Sequence, residues 1–184
     1  MKRIVSSLIF IFVLIISISA QDSKRIRIRY GNNLDKFRGT WVYQNNDTVF
    51  KIRIQERGTI ILEDSYSATT SYCLFGGYSL QVNGIIEENN IGNVPKTWIR
   101  NGTKRPEHLT IIVRSFRKAD ETEIFSNEAY LEFFDQKIKH DGGTGITSND
   151  LTIQLLSPTE LRWRLYDAYE KFSVPTDVIM TKEE

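Results

Sequence analysis

Residues Phe37 to Ile54 read FRGTWVYQNNDTVFKIRI. From Thr48 to Gln55 the side chains alternate, Phe50, Ile52 and Ile54 on one side and Lys51, Arg53 and Gln55 on the other. A period of two is that of a strand half in water and half in a core. Gln44-Asn45-Asn46-Asp47 ahead of it is turn chemistry, since short polar side chains hydrogen-bond their own backbone. Before that turn, Thr40 to Tyr43 carries Trp41 and Tyr43 on one side, after a tight turn at Arg38-Gly39. The stretch therefore reads as a β-hairpin.

Working outward, the same theme recurs. Thr59 to Leu62 follows an expected Arg57-Gly58 turn, and Tyr72 to Phe75 precedes an expected break at Gly76-Gly77. Tyr78, Leu80 and Val82 alternate before Asn83-Gly84, with Ile85-Ile86-Glu87 as the return strand. Asn-Gly between two such runs is the strongest short hairpin signal, because both residues tolerate positive φ. Thr97 to Arg100 and Leu109 to Ser115 flank a loop around Asn101-Gly102. Glu128 to Phe134, Leu151 to Leu156, Glu160 to Tyr166 and Asp177 to Thr181 complete the series. Leu34 to Phe37 fits one helical turn, and Arg117 to Asn127 a short helix. No stretch after the first twenty residues holds a 3.6-residue period for three turns. About 8–10 short strands with no βα alternation argue for an all-β domain, and periodicity alone admits a closed barrel or a sandwich.

The first twenty residues have a different character. Met1-Lys2-Arg3 is a positive start, Ile4 to Ile16 is almost wholly apolar, and Ile18-Ser19-Ala20 ends on a small residue. That is the pattern of a secretory signal peptide, and the apolar run is short of the roughly 20 residues a spanning helix needs. The expected organisation is a signal peptide over 1–20, an N-terminal segment over 21–36 and one β-domain over 37–184. It implies export to the periplasm or the exterior, with no integral membrane segment after cleavage. Removing Lys2 and Arg3 turns a formal net charge of +1 into −1. No global field then favours nucleic acid. Cys73 is the single cysteine, so no disulfide framework exists, and its setting in Tyr72-Cys73-Leu74-Phe75 reads as a buried thiol. Lys24 to Tyr30, KRIRIRY, alternates basic and apolar residues. Arg25, Arg27 and Arg29 on one face suit either an anionic contact or an edge strand guarded by charge.

Gly39-Thr40-Trp41 near the expected mature N-terminus resembles the opening of the lipocalin and calycin barrels. In that resemblance Trp41 lies on the first strand and closes one end, next to Gly39. An arginine from the end of the barrel packs over the indole, a role that falls to Arg162 or Arg164, with Arg164 preferred. Cation–π attraction gives such a contact about 0.5–2 kcal/mol. The resemblance implies an antiparallel up-and-down β-barrel of lipocalin-like type. GTWVYQNNDTVFKIRIQ (Gly39 to Gln55), YSLQVNGIIEENN (Tyr78 to Asn90) and FSVPTDVIMTK (Phe172 to Lys182) also resemble an uncharacterised family of small secreted Bacteroidetes proteins, a resemblance that brings no activity with it.

Side chains for chemistry are sparse. His108 and His140 are the two histidines, with no H-x-H, HExxH or CxxC spacing, so no metal site is expected. No serine stands in Gly-x-Ser-x-Gly, and Asp141-Gly142-Gly143-Thr144-Gly145 lacks the lysine and hydroxyl of a phosphate loop. Carboxylate pairs such as Glu63-Asp64 and Glu87-Glu88 fit solvated hairpin ends. No catalytic residue and no cofactor is assigned. Asn46-Asp47-Thr48 and Asn101-Gly102-Thr103 are formal glycosylation sequons that read as turns. Aromatic side chains remain. Tyr72, Tyr78, Trp98 and Tyr130 are the candidate lining of a cavity for a small apolar or amphipathic ligand, with a mouth formed by the Asn83-Gly84, Asn101-Gly102 and Gly142–Gly145 turns. The function expected is therefore a non-enzymatic binding protein. The alternatives are a protein-interaction module with a filled barrel and, third, a small-molecule hydrolase or isomerase.

Overall fold

The computed structural model describes residues 25–29, 34–63, 67–101, 104–115, 127–137, 151–165 and 172–184. The described strands are β1 (Arg25–Arg29), β2 (Gly39–Asn45), β3 (Thr48–Glu63), β4 (Ser67–Val82), β5 (Ile85–Asn89), β6 (Thr97–Ile99), β7 (Ile111–Ser115), β8 (Glu128–Phe133), β9 (Leu151–Ser157), β10 (Glu160–Leu165) and β11 (Asp177–Lys182). A single 3₁₀ turn, Asp35–Phe37, precedes β2. The signal peptide expected over 1–20, the helix expected over 117–127 except its last residue, Asn127, and the Gly142–Gly145 turn lie outside the described residues.

Eight strands close an antiparallel ring in the order β2-β3-β4-β7-β8-β9-β10-β11. The pairings that seal it are β3 with β4 and β11 with β2, where Thr181 faces Val42 and Lys182 faces Trp41. Each ring strand lies beside its neighbours in chain order, so the domain is an up-and-down barrel rather than a sandwich. Alternation assigns the faces: Ala129, Leu131 and Phe133 of β8 and Leu161, Trp163 and Leu165 of β10 are buried, and the residues between them are more exposed. The Asn83-Gly84 hairpin forms as expected, with φ of 51° and 76°.

The runs read separately on either side of Arg57-Gly58 are one strand, β3, and those on either side of Gly76-Gly77 are one strand, β4. These glycines mark close approach, not turns. A Cβ at Gly58 would come within 2.4 Å of the Phe75 ring, and one at Gly77 within 2.0 Å of the Asn90 carbonyl oxygen. The long β3–β4 hairpin leaves the barrel through a bulge: Ile54 pairs with Gly76 and Glu56 with Phe75, which leaves Gln55 unmatched. One extra residue reverses the faces. Ile54 therefore points into the barrel, and Ile60, of the same parity, points outward into a second core with Cys73, Phe75, Trp98 and Ile112. Beyond the bulge, β1 adds in parallel to β4 and β6 in parallel to β3, forming a wing on the barrel. In that parallel register Arg25, Arg27 and Arg29 pair with Ser67, Thr69 and Ser71.

Candidate functional site

The two ends of the barrel are built differently. At the end where the chain enters, the 3₁₀ turn buries Phe37 beneath the ring, and its carbonyl accepts the Trp41 Nε1–H at 2.9 Å. Trp41 is fully buried. The cation over its indole is Lys182, whose Nζ lies 5.2 Å from the ring centroid. Gly39, with φ of 135°, leaves the space this lysine crosses, since a Cβ there would lie 2.7 Å from Lys182 Cε. Arg164 stands elsewhere. Its neighbours Trp163 and Leu165 point inward, so Arg162 and Arg164 project outward, and Arg164 Nε lies 4.0 Å from Asp177. The closure therefore uses an arm from β11 in place of the expected arginine from β10.

The waist is filled by aromatic rings. Phe50 lies 5.4 Å from Trp163, Trp163 lies 5.3 Å from Phe133, and Phe133 lies 5.1 Å from Tyr78, centroid to centroid. Tilted and edge-to-face contacts at these distances are the favourable ones, because each positive ring edge meets a negative ring face. All four residues are fully buried. The Tyr78 hydroxyl accepts the Gln136 N–H at 3.0 Å, and burial raises its pKa above the usual phenol range.

Above this layer lies the mouth. Asp135, at the end of β8, takes the Ser173 N–H on Oδ2 at 2.6 Å and the Ser173 hydroxyl on Oδ1 at 2.7 Å. That latch holds the segment before β11 over the rings. Phe172 packs 6.0 Å from Phe133, Val174 is buried, and the Pro175 carbonyl accepts the Trp163 Nε1–H at 3.0 Å. Beside the segment the β2–β3 and β4–β5 turns meet, where Asn83 N–H donates to the Asp47 carbonyl at 2.8 Å. Asn46 and Asn83, both in the left-handed region, form their tips.

Between these turns and Pro175 lies a cleft of about 370 Å³. Tyr43, Val82 and Pro175 supply apolar surface, while Asn45, Asn46, Asp47, Thr48 and Asn83 supply donors and acceptors. That volume suits a small molecule, and the division into apolar and polar walls suits an amphipathic one. Asp47 is the one carboxylate among the described lining residues. Among the described residues no group of three or more histidine, cysteine, aspartate or glutamate side chains is placed to hold a metal ion. Nor is any described helix long and apolar enough to cross a membrane.

Of the four residues expected to line a cavity, only Tyr78 faces the barrel interior, and there it is part of the aromatic layer. Trp98 belongs to the second core outside the ring. Tyr72 pairs with Thr59 on the wing, and Tyr130 alternates outward between Ala129 and Leu131. These four do not come together. Asn83-Gly84 does border the mouth, but Asn101 stands at the far tip of the wing, where its Oδ1 accepts the Glu63 N–H at 2.7 Å. Tyr43, Asp47 and Pro175 were not singled out as ligand contacts. The usable signal was that two Asn-containing turns come at the same end of adjacent hairpins.

The three stretches noted in the sequence contribute to this arrangement: the first hairpin, the strand into Asn83-Gly84, and the final segment that the Asp135 latch holds. The chain belongs to the DUF6705 family. That family is one of unknown function, and its model matches residues 1–183. No curated protein and no solved structure matches the chain. For this DUF6705 member, function is therefore argued from the barrel itself.

Proposed function

We propose that this DUF6705 barrel is an exported, non-enzymatic binding protein that holds a small amphipathic ligand at its mouth. The observation that carries the reading is the cleft of about 370 Å³ between Tyr43, Val82 and Pro175, rimmed by the polar groups of two adjacent turns. A ligand placed there rests apolar surface on Tyr43 and Pro175 and hydrogen-bonds to Asn45, Asn46, Asp47, Thr48 or Asn83. The filled waist limits how far it descends: Phe50, Tyr78, Phe133 and Trp163 occupy that level.

The same filled waist favours one second reading, a protein-interaction module whose barrel is only a scaffold. Native mass spectrometry of the protein purified from its own host separates the two. The binding reading predicts a reproducible mass excess lost on denaturation and lost in Val82→Asp, which charges the apolar wall. A bare mass in repeated gentle preparations, with a protein partner retained instead, would sink it.

A further inference from the structure

On the outside of the barrel, the sheet order from wing to wall is β6-β3-β4-β7-β8. At about 4.8 Å per step, a flat sheet would hold β6 and β8 roughly 19 Å apart. Arg100, which follows β6, nevertheless donates from Nη1 to Glu132 Oε2 on β8 at 3.2 Å. The outer surface is thus bent back on itself. The second core fills the bend, with Trp98 packed among Cys73, Phe75 and Ile112.

Among the described residues, the rim of this bend carries more positive charge and more donors than their partners satisfy. Glu132 is shared by two guanidiniums: Arg100 at Oε2, and Arg114, whose Nη2 lies 2.5 Å from Oε1 without hydrogen-bond alignment. Each arginine offers five N–H groups in a rigid fork, and one carboxylate has about four lone-pair sites for both. Among the described residues, buried Arg114 Nε has no acceptor, and neither has Trp98 Nε1, on a residue only 7 % exposed. The Arg100 guanidinium lies 5.2 Å from the Trp98 ring centroid, so both unsatisfied donors border the same arginine–glutamate cluster. Buried donors without partners are uncommon in folded proteins and ordinarily meet water or a ligand. The side chains of Arg100 and Arg114 keep 30 % of their surface exposed against 12 % for Glu132, so the cluster lies at the surface although Nε and Nη2 of Arg114 are themselves covered.

We propose that Arg100, Arg114 and the Trp98 N–H form a receptor for one oxyanion group, a carboxylate or a phosphate, seated beside Glu132. The fork of arginine matches such groups two oxygens at a time, and one added negative charge neutralises the net +1 of the cluster. Cys73, opposite Arg114 in the β4–β7 register that pairs Leu74 with Val113, does not supply that charge. Burial pushes its thiol pKa up to about 12, so it stays neutral. This receptor is independent of the mouth cleft and stands or falls without it.

The test is calorimetric titration of the folded full chain with inorganic phosphate and, separately, with acetate, at low ionic strength. Saturable binding at one site is expected for at least one of them, and which one binds separates the phosphate source from the carboxylate source. Arg114→Met and Arg100→Met should each weaken it tenfold or more. Glu132→Gln, which removes the competing carboxylate, should tighten it several-fold, a gain that misfolding cannot imitate. No saturable heat with either anion overturns the proposal, as does affinity left intact in folded Arg100→Met and Arg114→Met. If those variants fail to fold, unchanged or weaker affinity in folded Glu132→Gln overturns it.

Discussion

Gly58 exists to admit the Phe75 ring, which occupies the space a Cβ would need. Gly58→Ala should cost about 1–3 kcal/mol, the usual penalty of overpacking, read as a lower urea midpoint at unchanged slope. Cys73 donates to the Gly58 carbonyl at 3.6 Å and is buried. With its pKa near 12 from burial, the thiol should resist alkylation at pH 8 until the chain unfolds. The sign of its pH effect follows. The folded state holds this proton more tightly than the unfolded state, so stability is full below the ordinary thiol pKa and falls as pH rises toward 12. Cys73→Ala should flatten that alkaline decline in a series of melting curves, and an unchanged slope would count against it. The thiol's burial was legible from its apolar neighbours. Lys182 over Trp41 was not, because the contact depends on the β11–β2 register, and no local pattern reveals which residue at the end of the chain reaches the first ring strand.

Strand pattern was the most legible level and failed in one informative way. Alternation placed Phe50, Ile52 and Ile54 correctly, and Asn83-Gly84 gave its hairpin. The bulge at Gln55 then reverses the faces without disturbing the parity of the sequence, so Ile54 and Ile60 look equivalent and serve different cores. The wing was invisible for the same reason: glycines chosen for close packing look like turns. Among the barrel's ladders, β10 and β11 are also tied on the outside, where Arg162 makes paired bonds to Asp177 of 2.9 and 2.8 Å. The Arg162 guanidinium holds the Asp177 carboxyl below its usual pKa. A depressed carboxyl contributes stability above the unfolded value of about 3.9, and that contribution is lost as pH falls through the folded value. Asp177→Asn should therefore lower stability at pH 7 by under about 1 kcal/mol, since the pair is exposed. The difference from wild type should shrink toward zero in strong acid. An equal deficit at pH 7 and at low pH would contradict this role.

At the scale of the molecule, the described residues form a barrel closed at one end, filled at its waist and shaped at its mouth. All-β architecture was within reach of strand periodicity, which left barrel and sandwich open; the closed ring was expected only from the Gly39-Thr40-Trp41 resemblance. The position of the site was not, because the aromatics that suggested a lined cavity are divided among the interior, the wing and the outer wall. Trp163 is the clearest test of the filled waist. Trp163→Ala should cost about 3–5 kcal/mol, the range for emptying a large aromatic site, with a melting temperature lowered accordingly. Asp135→Ala should release Ser173 and raise amide exchange in the segment before β11, leaving exchange in β2 and β3 near wild type. The central claim is tested most directly by methyl and aromatic NMR spectra of the folded protein, recorded while a lipid and small-molecule extract of its host is added. Binding at the mouth predicts that Val82 methyl and Tyr43 ring signals shift, and that those of Leu161 and Met180, which pair with each other past Trp163 toward the closed end, stay in place. Shifts confined to the interior methyls, or none anywhere, would contradict it.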